Sequence, residues 1–354
     1  MRLASPRNSA GGHAGLENGA ILMKTKPWLC LLLFLVAALF ASSVQPQQVA
    51  RPKIRVLTLL GRPLQITIAE THGFFAKQGV SVETENSPNS EELRAKLAAG
   101  TGDIAYAAVD NAVAMALSGT DVIIVGGGEG SQNELITQRD IKSVRDLRGK
   151  TLIVDAPNTA YALQLKKIML LNDLRLGDYE IKPVGVTPMR LAAMREQHEY
   201  AGSMLGPPAS ILAKRAGLVS LGSVQDLIGP YQAAGSFTQR KWAQEHRDAL
   251  VNYLAAFIEA QHWLMDPSHK SEVIELLIKE SQLPADVAAE TYMLAMTRPG
   301  GFAAEAQLDL DGLVNVLQLR AEIEGSWGGK PPLPKTYYDS SYYEDAKVKA
   351  KRSE

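Results

Sequence analysis

Six histidines, one cysteine and a glycine-rich run at 126–130 are the residues from which chemistry would have to be built. The histidines (His13, His72, His198, His246, His262, His269) form no H-x-x-x-H pair, and none stands beside Cys30. A metal centre needs three or four converging ligands, so neither a metal site nor a cofactor is expected. The run Gly126-Gly127-Gly128-Glu129-Gly130 follows an apolar stretch, but the third glycine of a dinucleotide turn would fall on Ser131. The full Gly-x4-Gly-Lys-Ser/Thr pattern of a P-loop and the G-x-S-x-G elbow of a serine nucleophile are both missing. Nothing in the residue inventory announces catalysis.

What remains is binding chemistry at the ends of strands. In open α/β sheets a ligand sits at the carboxyl ends of the strands, beside helix N-termini whose unpaired N–H groups attract anions and polar oxygens. Four loops meet that description. The first holds Gly61 and Arg62 and the second Asp110 and Asn111, where Asp110 or Asn111 is also a candidate helix cap. The third runs Asp155-Ala156-Pro157-Asn158-Thr159-Ala160, the best nest for a carboxylate or other anion. The fourth, Gly206-Pro207-Pro208, reads as wall, since tandem prolines fix the backbone. Tyr106, Tyr161 and Phe237 are aromatic enough to stack on a ring.

The elements that must carry these loops follow from periodicity. Strands are expected over 54–60, 80–85, 103–107, 122–125, 151–154, 179–183 and 201–205. Helices are expected over 64–77, 91–99, 110–118, 159–171 and 188–197, with a short piece at 143–147. Alternation of this length specifies mostly parallel sheets covered by helices on both faces. Beyond residue 237 the pattern becomes helical, over 247–264, 271–279, 285–295 and 308–323, while 328–334 and 337–344 read as irregular and 347–352 as a solvated basic end. The glycines of 126–130 and the stretch 233–235 are expected to be crossovers between two lobes, with glycine supplying backbone freedom.

Length and charge bound the rest. A chain of 354 residues has room for about two domains. With 37 Lys+Arg against 38 Asp+Glu there is no basic face for nucleic acid. The first 43 residues read as leader and signal peptide. Met23 opens a short basic stretch, and 28–41 then runs fourteen residues without a charge, short of the ~20 a bilayer span needs. Cleavage is expected near Ser43, with an uncleaved anchor as the alternative. Export removes four bases, one acid and Cys30, leaving 33 positive against 37 negative residues and no thiol. The destination is periplasmic or otherwise extracytoplasmic.

Five phrases in order then carry a resemblance: 66–83 (ITIAETHGFFAKQGVSVE), 97–119 with Asp103 at its acidic position, 141–154 with its Leu-x-Gly-Lys turn, 241–267 ending in Asp-Pro, and 338–346. Together they resemble the nitrate/sulfonate/taurine-type solute-binding proteins of ABC transporters, a family that also includes proteins handling thiamine precursors. The resemblance implies a two-lobed periplasmic-binding-protein fold of type II. Each lobe would be a mixed, mostly parallel sheet flanked by helices, with extra C-terminal helices. Lobe 1 would take 44–132 and 238–330, lobe 2 would take 133–237, and 331–354 would close the chain. It further implies a monomer that captures a small anionic or polar organic solute and delivers it to a membrane permease. Two departures fall in the second lobe: Gln197-His198-Glu199-Tyr200 replaces the family's Gly-x-x-Asp, and Pro207 stands where an acid is common. Two other readings stay open, an enzyme on the same scaffold acting on a pyrimidine or carboxylate precursor, and a ligand-free sensor or adaptor.

Overall fold

The computed structural model describes residues 51–352 apart from 60, 298 and 299, so the leader, with Met23, Cys30 and the expected cleavage point, lies outside the described residues. The first run comprises β1 (Lys53–Leu59), α1 (Leu64–Thr71), α2 (Phe74–Lys77), β2 (Ser81–Ser87), α3 (Ser90–Ala98), β3 (Ile104–Ala108), α4 (Asp110–Leu117) and β4 (Val122–Gly126). A second run follows, with β5 (Glu134–Thr137), β6 (Thr151–Val154), α5 (Ala160–Leu171), β7 (Glu180–Pro183), α6 (Thr187–Glu196), β8 (Tyr200–Leu205), α7 (Ala209–Arg215), β9 (Val219–Ser223) and α8 (Val224–Ile228). The chain then returns through β10 (Ala234–Gln239) and ends in α9 (Arg240–Glu245), α10 (Arg247–Met265), α11 (Lys270–Ser281), α12 (Ala285–Thr297), α13 (Leu310–Glu324) and α14 (Ser341–Lys351).

Two five-stranded sheets share one plan. The first has the order β2-β1-β3-β10-β4 and the second β7-β6-β8-β5-β9. In each, four strands run one way and the strand in fourth place runs against both neighbours. The reversed strand is always the one arriving from the other sheet. A chain leaving β4 at its carboxyl end crosses to the matching edge of the second sheet and must run away from it, and β10 repeats this on the way back.

Burial follows the strand period of two. Ile54, Val56, Ile104, Ile123 and Val125 face Tyr253, Leu254 and Phe257 of α10 and Tyr342, Tyr343 and Ala346 of α14. Leu57, Ala105, Val122 and Ile124 point the other way, into a cluster that includes Leu93, Leu97, Val113 and Phe237. Asp103, the acid of the second resembling phrase, takes the backbone N–H of Arg55 at 2.8 Å and its Nη2 at 2.5 Å, clamping β1 to β3.

Several expectations change. The helix expected over 64–77 breaks at Gly73, whose φ of 73° lies in the left-handed region. The lobe 2 span expected to end at 237 gives up its last residues, because Ala234–Phe237 pair with β3 in the first sheet. The irregular stretch and basic end expected beyond 337 include α14, whose Tyr342, Tyr343, Ala346 and Ala350 pack inward at helical spacing. Strands β5, β9 and β10 were not legible as strands: they are short or rich in small and polar residues. The glycines at the crossover have a different purpose from the one expected. A Cβ on Gly127 would sit 2.1 Å from the Gln307 carbonyl oxygen, and one on Gly128 would sit 2.2 Å from the Tyr106 hydroxyl. Close packing demands glycine there, not backbone freedom. Outgoing and returning crossovers also bond each other, Ala233 N–H to Glu129 O at 3.2 Å and Glu129 N–H to Ala234 O at 3.3 Å.

Candidate functional site

The loops at the carboxyl ends of the strands line a cleft of about 970 Å³. Gly61, Arg62 and Asn111 face it from the first lobe, and Asn158, Thr159, Ala160 and Pro207 from the second. Two expected contacts are placed elsewhere. Asp110 is 1% exposed, with both carboxylate oxygens held by Arg320 at 2.7 Å. Pro208 lies outside the lining, behind a cis Pro207–Pro208 peptide. Of the aromatic candidates, Tyr106 and Tyr161 line the cleft, whereas Phe237 is fully buried in the core.

Arg62 reaches the cleft with its charge already engaged by Glu70, and its Nε donates to Thr84 Oγ1 at 3.0 Å. Two other arginines, which the sequence reading missed, are in a different condition. Arg94 stands on α3, a helix started by the Asn89 side chain accepting from Glu92 N–H at 2.8 Å. Its Nη1 donates to Asn111 Oδ1 at 2.9 Å, and no carboxylate among the described residues forms an ion pair with it. Burial lowers its pKa, and the nearby Asp110 charge restores only part of the loss. Arg190, in the first turns of α6, is fully buried yet lines the cleft. Its guanidinium lies 4.4 Å from the centre of the Tyr161 ring and donates to Thr187 Oγ1 at 2.9 Å, Ser203 Oγ at 3.1 Å and Met204 O at 2.9 Å. All of these partners are neutral, and its Nε has no partner. Burial lowers its pKa too, but a guanidinium keeps its proton under any physiological condition.

Between the two arginines the chain leaves further donors. Thr159 occupies the N-cap position of α5, yet its hydroxyl turns to Asp155 Oδ1 at 2.5 Å and Ala156 O at 3.1 Å. The first N–H groups of this twelve-residue helix therefore lack a side-chain cap at the cleft wall. The Tyr106 hydroxyl is buried without a partner.

Two acids balance this. Burial raises the Asp155 carboxyl, with the Arg190 charge and the Thr159 hydroxyl pulling it back. Burial also pushes Glu129, on the outgoing crossover, up to about 7. Its carboxyl makes no ion pair or side-chain hydrogen bond among the described residues.

Arg94 and Arg190 were legible by the rule already used. Arg190 sits just past the loop that follows β7, a strand end from which no candidate was drawn. Arg94 sits one turn into the helix after β2. The second-lobe departure at 197–200 does not reach the cleft. It opens β8 at the opposite end of the sheet, where His198 Nε2 lies 3.2 Å from Asp140 Oδ1 beside a second cavity of about 280 Å³. Gly149 and Lys150 line that same cavity and lead into a strand instead of out of one.

Two sheets of mixed strands, each with one reversed member and a cleft at their carboxyl edges, define the periplasmic-binding-protein fold. The chain belongs to the NMT1/THI5-like family, whose model matches residues 64–269. A Brucella abortus relative that carries the name of a binding protein is 21% identical over 285 residues, 78% of this chain and 86% of its own length. Among solved structures, the ligand-binding component of an ABC-type import system from Staphylococcus aureus, with zinc bound, is 14% identical. It covers 83% of this chain and 99% of its own at a TM-score of 0.69. The alkanesulfonate-binding protein SsuA from Xanthomonas axonopodis pv. citri, bound to MOPS, is 16% identical, covering 82% and 98% at a TM-score of 0.67. Among the described residues no group of three His, Cys, Asp or Glu side chains could hold a metal ion, and no helix is long and apolar enough to cross a membrane.

Proposed function

We propose that this protein is an exported solute receptor that captures a small acidic molecule, such as a sulfonate or a carboxylate, and hands it to the membrane permease of an ABC importer. The observation that carries the reading is the pair Arg94 and Arg190. Two guanidinium groups face one cleft from opposite lobes, and neither is bonded to a carboxylate. An anion bridging them would also meet the N-terminal N–H groups of α5, with Asn111, Thr159 and Ala160 beside it. The leader expected over 1–43 places the receptor outside the cytoplasm, where it works as a monomer.

Capture is closure. A ligand touching both walls binds the closed arrangement more tightly than the open one, and it shifts the equilibrium by that difference alone. The chain binds and releases and makes no bond. An adaptor without a ligand would call for a cleft filled by side chains, whereas these walls leave about 970 Å³ between them.

A thermal-unfolding screen of sulfonates, carboxylates, sulfate, nitrate and neutral sugars tests the reading. A ligand present at 100 times its Kd adds about 2.7 kcal/mol of stability. Stabilisation by acids and not by sugars is the expected result, and stabilisation by neutral solutes alone would overturn it.

A further inference from the structure

Behind the cleft, one guanidinium ties together three parts of the chain that are distant in sequence. Arg320 of α13 is 3% exposed. Its Nε and Nη2 grip Asp110 Oδ1 and Oδ2, each at 2.7 Å. Nη1 donates to Glu324 Oε2 at 2.8 Å, and Nη2 also donates to the Asn158 carbonyl oxygen at 3.1 Å. Asp110 opens α4 in the first lobe, and the next residue, Asn111, holds Arg94. Asn158 immediately precedes the N-cap of α5 in the second lobe. One side chain thus stands behind both walls, joined to each.

The rest of α13 points the same way. Glu322 pairs with Lys167 of α5 at 2.5 Å, so the helix is fastened to the second lobe at its surface as well as beneath the cleft. Lysine could not do what Arg320 does. Two parallel bonds to a carboxylate and a third to a carbonyl need the planar fork, whereas an ammonium is a single point. Burial alone would lower the Arg320 pKa, but the Asp110 charge and its hydrogen bonds raise it overall.

We infer that Arg320 is a positioning residue that sets the spacing of the two ligand walls, holding the 155–159 loop against the first lobe before any solute arrives. It touches no solute itself. Its effect on affinity would come through the fraction of molecules already in the competent arrangement, because apparent Kd rises as that fraction falls.

Distance measurement between spin labels on the full chain tests this without a ligand. With Cys30→Ser removing the chain's cysteine, labels at Glu91→Cys and Met189→Cys report the gap, since both positions line the cleft, from α3 and α6 respectively. Two backgrounds are compared with the parent. Arg320→Lys keeps a charge for Asp110, and the double variant Asp110→Leu/Arg320→Met removes the pair without stranding a buried charge. The expected result is a distribution weighted toward the short distance in the parent and shifted toward longer distances in both backgrounds.

Titration of the unlabelled proteins with ethanesulfonate forms the second arm, which rests on the acidic-solute reading. There the apparent Kd rises about fivefold or more in both backgrounds. Unchanged distances in a folded variant would overturn the inference, as would failure of both backgrounds to fold, since Arg320 would then belong only to the core. If ethanesulfonate binds not even the parent, the solute reading is at fault, and the distances still judge Arg320.

Discussion

Arg94 and Arg190 face the same cleft from opposite lobes in contrasting company. The first lobe surrounds its side of the cleft with ion pairs, Arg62 with Glu70 at the rim and Asp110 with Arg320 behind the wall, and adds Arg55 with Asp103 at the far end of the sheet. Arg94 stands half-buried near the Asp110–Arg320 pair with only the Asn111 amide bonded to it. The second lobe surrounds Arg190 with hydroxyls, a carbonyl and an aromatic face, all neutral. A buried cation is expensive unless paired, and within its own lobe Arg190 has only the longer-range attraction of Asp155, with no ion pair or hydrogen bond to it. The difference assigns the tasks: paired charges fix the frame of the first lobe, and Arg190, hydrogen-bonded only to neutral groups, keeps its charge for something that enters the cleft.

The largest expected effect breaks the paired side of this contrast. Asp110→Ala leaves the buried Arg320 charge with only the partly exposed Glu324 and should lower unfolding free energy by up to about 3–5 kcal/mol in urea titration. A loss below 1 kcal/mol would mean that the first lobe does not depend on its pairs. Next comes the unpaired side. Arg190→Met and Arg94→Met should each weaken binding of an acidic solute by roughly ten- to a hundredfold in calorimetric titration, the worth of a charge-assisted hydrogen bond. Arg190→Met should do so with little loss of thermal stability, because the variant also sheds a buried charge. If it unfolds the protein instead, Arg190 is part of the frame.

A smaller effect concerns pH. Glu129 titrates near 7 when folded, above its ordinary value of 4.5. The folded state therefore binds more protons than the unfolded state between these values, and this group's contribution to stability is full below pH 4.5 and declines as pH rises through 7. Above 7 its charge also opposes an anion in the cleft, so affinity for an acidic solute should fall there. Glu129→Gln should flatten both dependences, and identical pH profiles for variant and parent would remove Glu129 from the account. The smallest effect is reserved for Arg62→Ala. Its charge is spent on an exposed acid, and exposed pairs contribute about 1 kcal/mol or less. Solute affinity should change less than threefold.

Much of this was legible beforehand, and the gaps have physical causes. Apart from the four-residue β5, the order of strands and helices through 205 followed from periodicity, because those elements are buried on regular faces. Strand β10 escaped notice because Ala234, Gly235 and Ser236 carry no hydrophobic alternation. Its pairing depends on the chain returning from the other lobe, a non-local fact. Helix α14 was missed because tyrosines and alanines at helical spacing lie in a polar, lysine-rich stretch.

The expected loops line the cleft, but residue type alone could not say which charges were already spent. Asp110 and Arg62 looked available and are both engaged. Arg94 and Arg190 were passed over, and they are the cleft arginines that form no ion pair among the described residues. That distinction exists only after folding brings Arg320 to Asp110 across 210 residues.

Calorimetric titration of the parent and of an Arg94→Met/Arg190→Met double variant with the strongest-binding acid from the solute screen tests the central claim most directly. The account predicts saturable binding of one molecule per chain to the parent and no measurable heat with the double variant, whose unfolding remains cooperative. Equal affinity in the two proteins would contradict it.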